Sequence, residues 1–86
     1  MKIVFTKHAL EKFVVLKRLG WNITRVKIKQ TIKKPKWEGT SRFGQETVMS
    51  LADDKHILRV IINRADGIIT VVTFHITRRG TYESTL

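Results

Sequence analysis

Eighty-six residues with an ordinary apolar share of 42% make one small folded domain, residues 1–86, with no room for a second core. Seventeen Lys and Arg against seven Asp and Glu leave a net charge of +10, which points to a polyanionic partner, nucleic acid ahead of an acidic protein. The absence of cysteine excludes a disulfide scaffold, a thiolate metal site and a cysteine nucleophile.

Nothing in the sequence approaches the roughly 20 apolar residues of a membrane span. Met1-Lys2-Ile3-Val4-Phe5 is a short apolar run with no cleavage-type region after it. The expectation is a cytoplasmic protein that does not engage a membrane.

The chain opens with a short strand, Lys2 to Phe5. Thr6 then offers a hydroxyl as N-cap, the spacing predicts a helix from Lys7 to about Leu19, and Gly20 is placed to end it. Ala9, Leu10, Phe13, Val14 and Leu16 lie on one broad side that should meet the sheet. His8, Lys12, Val15 and Leu19 line the edge of that side, while Lys7, Glu11 and Arg18 face away from it. Trp21 fits as a lid on the core.

Thr24 caps a second helix, with Ile23 and Ile28 at the two positions of a hydrophobic staple, and Pro35 stops it. Ile28 and Ile32 carry the buried side, whereas Arg25, Lys27, Lys29, Lys33 and Lys34 make the helix strongly basic. From Lys36 to Gln45 the chain is polar and contains glycine, and Trp37 can begin an edge strand.

Three strands follow. Glu46 to Leu51 is the first, and Asp53-Asp54 reads as a two-residue turn that pairs Leu51 with His56. Ile57 to Ile62 and Ile68 to Thr77 are rich in β-branched residues and are joined by Asn63-Arg64-Ala65-Asp66-Gly67, where Asp66-Gly67 supplies positive φ. Pairing Ile62 with Ile68 puts Leu58, Val60, Thr70, Val72 and Phe74 on the core face, with Met49 and Thr47 beside them. The second face then collects Val48, Ile57, Arg59, Ile61, Ile69, Val71, Thr73 and His75, a partly covered or working surface. Arg78 and Arg79 follow, and the tail to Leu86 either frays or crosses the second face. The order is β-α-α-β-β-β, an α+β domain with an antiparallel sheet and two helices on one face.

Thr6-Lys7-His8-Ala9-Leu10-Glu11-Lys12-Phe13 resembles the start of a widespread small domain family of unknown function, in which His-Ala heads the first helix with a basic residue four positions after the His. Gly20-Trp21, the span from Thr24 to Pro35 and Val72-Thr73-Phe74 resemble the rest of that pattern, so the likeness covers nearly the whole chain. Proteins of this type look like the RelE/ParE and BrnT toxins. The stretch between Lys12 and Gly20 is about one helical turn longer than the family pattern, which leaves Arg18 without a match. The resemblance implies a RelE-like fold, RNA cleavage without a metal or cofactor, and substrate contact at His8, Lys12 and the segment around Thr73 and His75. It also implies an antitoxin partner and the ribosome or free RNA as target.

Metal-independent RNA cleavage needs a base for the 2′-hydroxyl, an acid for the leaving oxygen and cations for the charge on the phosphorane. His8 and His75 suit the first two tasks, with Lys12, Arg59 and Arg78 around the phosphate, provided that the first helix lies near the last strand. The plainer fates are an edge hydrogen bond for His8, a sheet-face position for His75 and a salt bridge for Lys12. The residues expected to touch nucleic acid are Lys7, Arg18, Lys27, Lys29, Lys33, Trp37, Arg42, Arg59, Arg78 and Arg79. Trp37, in a basic segment with Arg42 and Phe43, is the preferred base-stacking residue. No ligand spacing for a metal is present. Three functions stay open: a ribonuclease toxin, a non-catalytic nucleic-acid-binding module, and an interaction domain whose second face is covered by an antitoxin or a second copy.

Overall fold

The computed structural model describes residues 2–80, which form an α+β fold with two helices and a five-stranded mixed sheet. The elements in chain order are β1 (Lys2–Phe5), α1 (Lys7–Arg18), α2 (Arg25–Lys33), β2 (Trp37–Thr40), β3 (Glu46–Leu51), β4 (His56–Ala65) and β5 (Ile68–Arg78). The strands lie in the order β1-β5-β4-β3-β2. The sheet is therefore not purely antiparallel: β1 runs parallel to β5, pairing Ile3 with Ile69 and Phe5 with Val71. Because the chain passes from β1 straight into a helix, it has no hairpin with which to reverse against a neighbour. Trp37 does open a fifth, edge strand, in register with β3.

Local signals hold both helices where the sequence places them. Thr6 Oγ1 accepts the Ala9 N–H (3.0 Å), and Thr24 Oγ1 accepts the Lys27 N–H (3.1 Å), so each helix starts on a threonine cap. At the end of α1, Gly20 takes φ +91°, and the N–H groups of Trp21 and Gly20 donate to the carbonyls of Leu16 (2.9 Å) and Lys17 (3.0 Å). This reversal needs the left-handed conformation that glycine adopts at no steric cost. Trp21 then packs, half-buried, against the core cluster to which Leu16 belongs.

The hydrophobic core lies between the helices and one sheet face. Ala9, Leu16, Ile28 and Ile32 meet Val48, Leu58, Val60, Ile62, Ile69, Val71 and Phe74. Phe13 stacks at a tilt between Phe5 (5.7 Å between centroids) and Phe74 (4.7 Å), which ties α1 to β1 and β5. Leu10 and Val14 are exposed at 39% and 53%, so the buried stripe of α1 is narrower than its apolar pattern. Thr31 is buried in α2, and it is satisfied: its hydroxyl donates to the Lys27 carbonyl (2.8 Å) and lies 2.7 Å from Ser50 Oγ.

Two registers differ from the sequence expectation. The β4–β5 turn is only Asp66-Gly67, both at positive φ, with Ala65 opposite Ile68. Farther along, Ile62 pairs with Val71 while Ile61 pairs with Thr73, so Val72 is an extra residue, a β-bulge. The bulge turns Ile69 and Val71 to the core side along with Phe74, and leaves Thr73 and His75 on the second face.

In the β3–β4 connection, Asp53 Oδ1 accepts the Lys55 N–H (2.7 Å) and meets His56 Nδ1 (2.9 Å), which builds a wider loop than a two-residue turn. Leu51 accordingly pairs with Ile57, one residue from the expected register, and the whole of β3 is turned over. Val48 enters the core, whereas Thr47 and Met49 join Arg59 on the second face. The expected course of the tail over that face concerns residues 81–86, which lie outside the described residues.

The bulge is held by Thr6. Its N–H donates to the Val71 carbonyl (3.1 Å) and its hydroxyl to the Val72 carbonyl (2.7 Å), while the same oxygen caps α1. Thr6→Val keeps the shape but removes a cap and a partly buried bond. It should lower stability by about 2–3 kcal/mol in urea unfolding, with Thr6→Ser losing less than about 1. An unchanged midpoint for Thr6→Val would show that the bulge holds without the hydroxyl.

Candidate nucleic-acid interface

Antiparallel pairing sets one lateral row across the second face: Trp37 opposite Met49, Met49 opposite Arg59, Arg59 opposite His75. Neighbouring strands are about 4.8 Å apart, so the row spans roughly 14 Å from the β2 edge to β5. The next row holds Gly39, Thr47, Ile61 and Thr73. Met49, Thr47 and Ile57 are fully buried, whereas Trp37, Arg59, Ile61, Thr73 and His75 are half-buried. The face is thus apolar beneath and cationic at its centre.

Arg59 Nη1 lies 3.5 Å from His75 Nε2. Burial pushes the imidazole of His75 below its ordinary value, and the positive charges of Arg59 and then Lys12 push it the same way. The Lys12 charge acts from α1, which runs along β5 from Val72, at Thr6, to Phe74, at Phe13. His8 is exposed in the first turn of α1, one helical turn from Lys12. The structure therefore brings Arg59 and His75 together, with Lys12 acting on the imidazole from α1 and His8 one turn before Lys12. The hydroxyl of Thr73, one row from His75, is buried and finds no hydrogen-bond partner. Such a group costs about 1–3 kcal/mol.

Arg42 belongs to this face. The β2–β3 loop closes on Ser41, whose N–H donates to the Gln45 carbonyl (2.7 Å) and whose Oγ accepts the N–H groups of Phe43 (3.3 Å) and Gln45 (3.1 Å). Gly44 takes φ +79° at its tip. A cleft of about 280 Å³ lies between this loop and β4, lined by Ser41, Arg42, Phe43, Arg59 and Ile61.

The other expected basic residues lie elsewhere. Lys27 and Lys33 line a groove of about 430 Å³ on the helix side, together with Lys34, Gln30, Thr31 and Ser50. Lys29 is exposed on the same helix, and Lys7 and Arg18 are exposed at opposite ends of α1. Arg78 pairs with His56 at the far end of β5, and Arg79 is tied to the β3–β4 loop through Lys55 and Asp54. The sheet separates the lysines of α2 from the Arg59–His75 row, so the ten residues do not form one surface. His56 packs edge-on against Trp21, the lid of the core, 4.8 Å between ring centroids. The Lys55 N–H bond, with the His56 contact adding to it, holds the Asp53 carboxyl below the usual range.

Phe43 was not among the residues expected to bind. Its signal in the sequence is an aromatic residue between Arg42 and Gly44 in a polar turn. Trp37 has Lys36 Nζ over its ring at 5.2 Å and is half-buried, whereas Phe43 is 77% exposed. Among the described residues no group of three or more His, Asp and Glu side chains is placed to hold a metal ion, and no helix is long and apolar enough to cross a membrane. Comparison with protein-family models, with curated proteins and with solved structures finds no match for the chain.

A histidine whose pKa is lowered in the fold contributes stability above the unfolded value of about 6.5 and loses it as the pH falls through the folded value. NMR titration of His75 should give a midpoint below about 6.5. The decline in stability between pH 7 and about 5 should be smaller in His75→Gln. Asp53 acts in a separate window, below the ordinary carboxylate value of 3.8. A His75 midpoint at or above about 6.5 would contradict the desolvated, cation-flanked site.

Proposed function

We propose that the second sheet face binds RNA and that the protein is a small, cytoplasmic, RelE-like endoribonuclease toxin that cuts without a metal or cofactor. The observation that supports this most is the contact between His75 and Arg59 on one face, with the Lys12 charge acting on the same imidazole. A base for the 2′-hydroxyl must be neutral at working pH, and the environment of His75 favours the neutral imidazole. The Arg59 guanidinium, in contact with that ring, is suited to the charge that builds on the phosphorane. Lys12 adds a second cation, and His8, one turn away, is the candidate acid for the 5′-oxygen. An antitoxin would neutralise such a toxin by covering this same face.

The balanced step is transesterification. The 2′-oxygen attacks phosphorus as its proton passes to His75, the bond to the 5′-oxygen breaks, and that oxygen receives a proton from His8. A 2′,3′-cyclic phosphate and a 5′-hydroxyl result.

The test uses labelled single-stranded RNA in chelator. Wild-type protein should cut it, and His75→Ala should lower the rate about 100-fold or more while binding changes little. His8→Ala should also lower the rate. Lys12→Gln should reduce the slope of log K against log salt by about 0.7, as loss of one phosphate contact on a single strand requires. Tight, salt-sensitive binding without cleavage of free or ribosome-bound RNA would leave a non-catalytic binding module.

A further inference from the structure

We infer that the Arg42–Phe43 tip and the cleft beneath it form a docking site for one unpaired nucleobase, which makes the ligand of the second face single-stranded nucleic acid. This rests on the nucleic-acid reading of that face and goes beyond it by assigning a strand preference and the residue that imposes it.

Isolated exposed apolar residues are common and by themselves signify nothing. Phe43 differs in how it is held. Ser41 Oγ accepts two backbone N–H groups across the five-residue loop, and one of them is that of Phe43 itself. The ring therefore projects from a braced turn and not from a loose one, and little ordering entropy remains to be lost on binding. The Arg42 guanidinium sits over the ring, 5.0 Å from its centroid, an arrangement that leaves the opposite ring face for a planar ligand.

The cleft has the size and chemistry for a base. At about 280 Å³ it falls just below the range of about 300–1,000 Å³ typical of pockets for drug-sized molecules. Ile61 supplies an apolar floor, Ser41 a polar edge, and Arg42 and Arg59 positive charge at the rim, with no acidic side chain among the described lining residues. Arg59 also contacts His75, so the cleft is continuous with the row that runs to β5. A strand whose phosphate meets Arg59 and Lys12 would bring a neighbouring base to Phe43. A base inside a duplex is stacked on both faces and cannot enter, whereas an unpaired base can stack on an aromatic ring in any sequence.

The experiment uses the whole chain and a six-nucleotide 2′-O-methyl RNA carrying one 2-aminopurine, whose backbone cannot be cut by attack of a 2′-hydroxyl. Wild-type protein should bind it and quench its fluorescence, and should bind the same strand weakly once it is annealed to its complement. Phe43→Ala and Phe43→Leu should each weaken binding at least about five-fold and abolish the quench, while Phe43→Trp retains both. The unfolding midpoint should be unchanged in all three, because the side chain is outside the core. Wild-type affinity and quenching in Phe43→Ala, or equal affinity for single strand and duplex, would overturn the inference while leaving a nucleic-acid surface in place. Failure of the wild type to bind either form would overturn the inference together with the reading on which it rests.

Discussion

The second sheet face exists in its present form because one hydroxyl holds one extra residue. Thr6 Oγ1 donates to the carbonyl of Val72 in the β5 bulge and accepts the Ala9 N–H that starts α1. Without the bulge, strict alternation would put Val71 and Phe74 on opposite faces, and the core would lose one of them. With it, Ile69, Val71 and Phe74 all point to the helices, and Thr73 and His75 point away. The same three-way contact anchors α1 alongside β5, which brings Lys12 near His75. Core, bulge and candidate site are therefore coupled through a single side chain.

Arg59 and His75 are directly opposite on adjacent strands, a placement that disfavours two like charges. The cost is contained by keeping the imidazole neutral. That solution also leaves a proton acceptor beside a fixed guanidinium, the pairing that phosphodiester chemistry uses. The α2 lysines, by contrast, are spread along an exposed helix and line a groove with the Thr31–Ser50 hydroxyl pair. They add to the positive long-range field of the chain.

What the sequence made legible was what local chemistry decides. Thr6 and Thr24 as caps, Gly20 as the end of α1, Pro35 as the end of α2 and Asp66-Gly67 as a turn all act within a few residues, and each sits where its chemistry placed it. Registers were less legible. The Val72 bulge has no marker of its own, because its partner Thr6 is 66 positions away in the chain. Asp53 looked like half of a two-residue turn, but its carboxylate bonds to Lys55 and His56 and widens the loop by enough to turn β3 over. The parallel pairing of β1 was equally hidden, since nothing in Lys2–Phe5 names its neighbour. At the site, Lys12, Arg59 and His75 were recognisable by residue type, and their convergence required the fold. In the sequence Trp37 is the more obvious stacking residue, and only the structure distinguishes a half-covered Trp37 from an exposed Phe43.

The measurement that bears most directly on the second face is an NMR titration of ¹⁵N-labelled protein with a short, non-cleavable single-stranded RNA. The largest shifts should fall at Phe43, Arg59 and His75 and extend to Trp37 and Lys12, with residues Gln30 to Lys34 at the end of α2 and just beyond it little changed. Shifts centred instead on Lys27, Lys33 and Lys34 would place the nucleic acid on the helix side and contradict the assignment of the Arg59–His75 face.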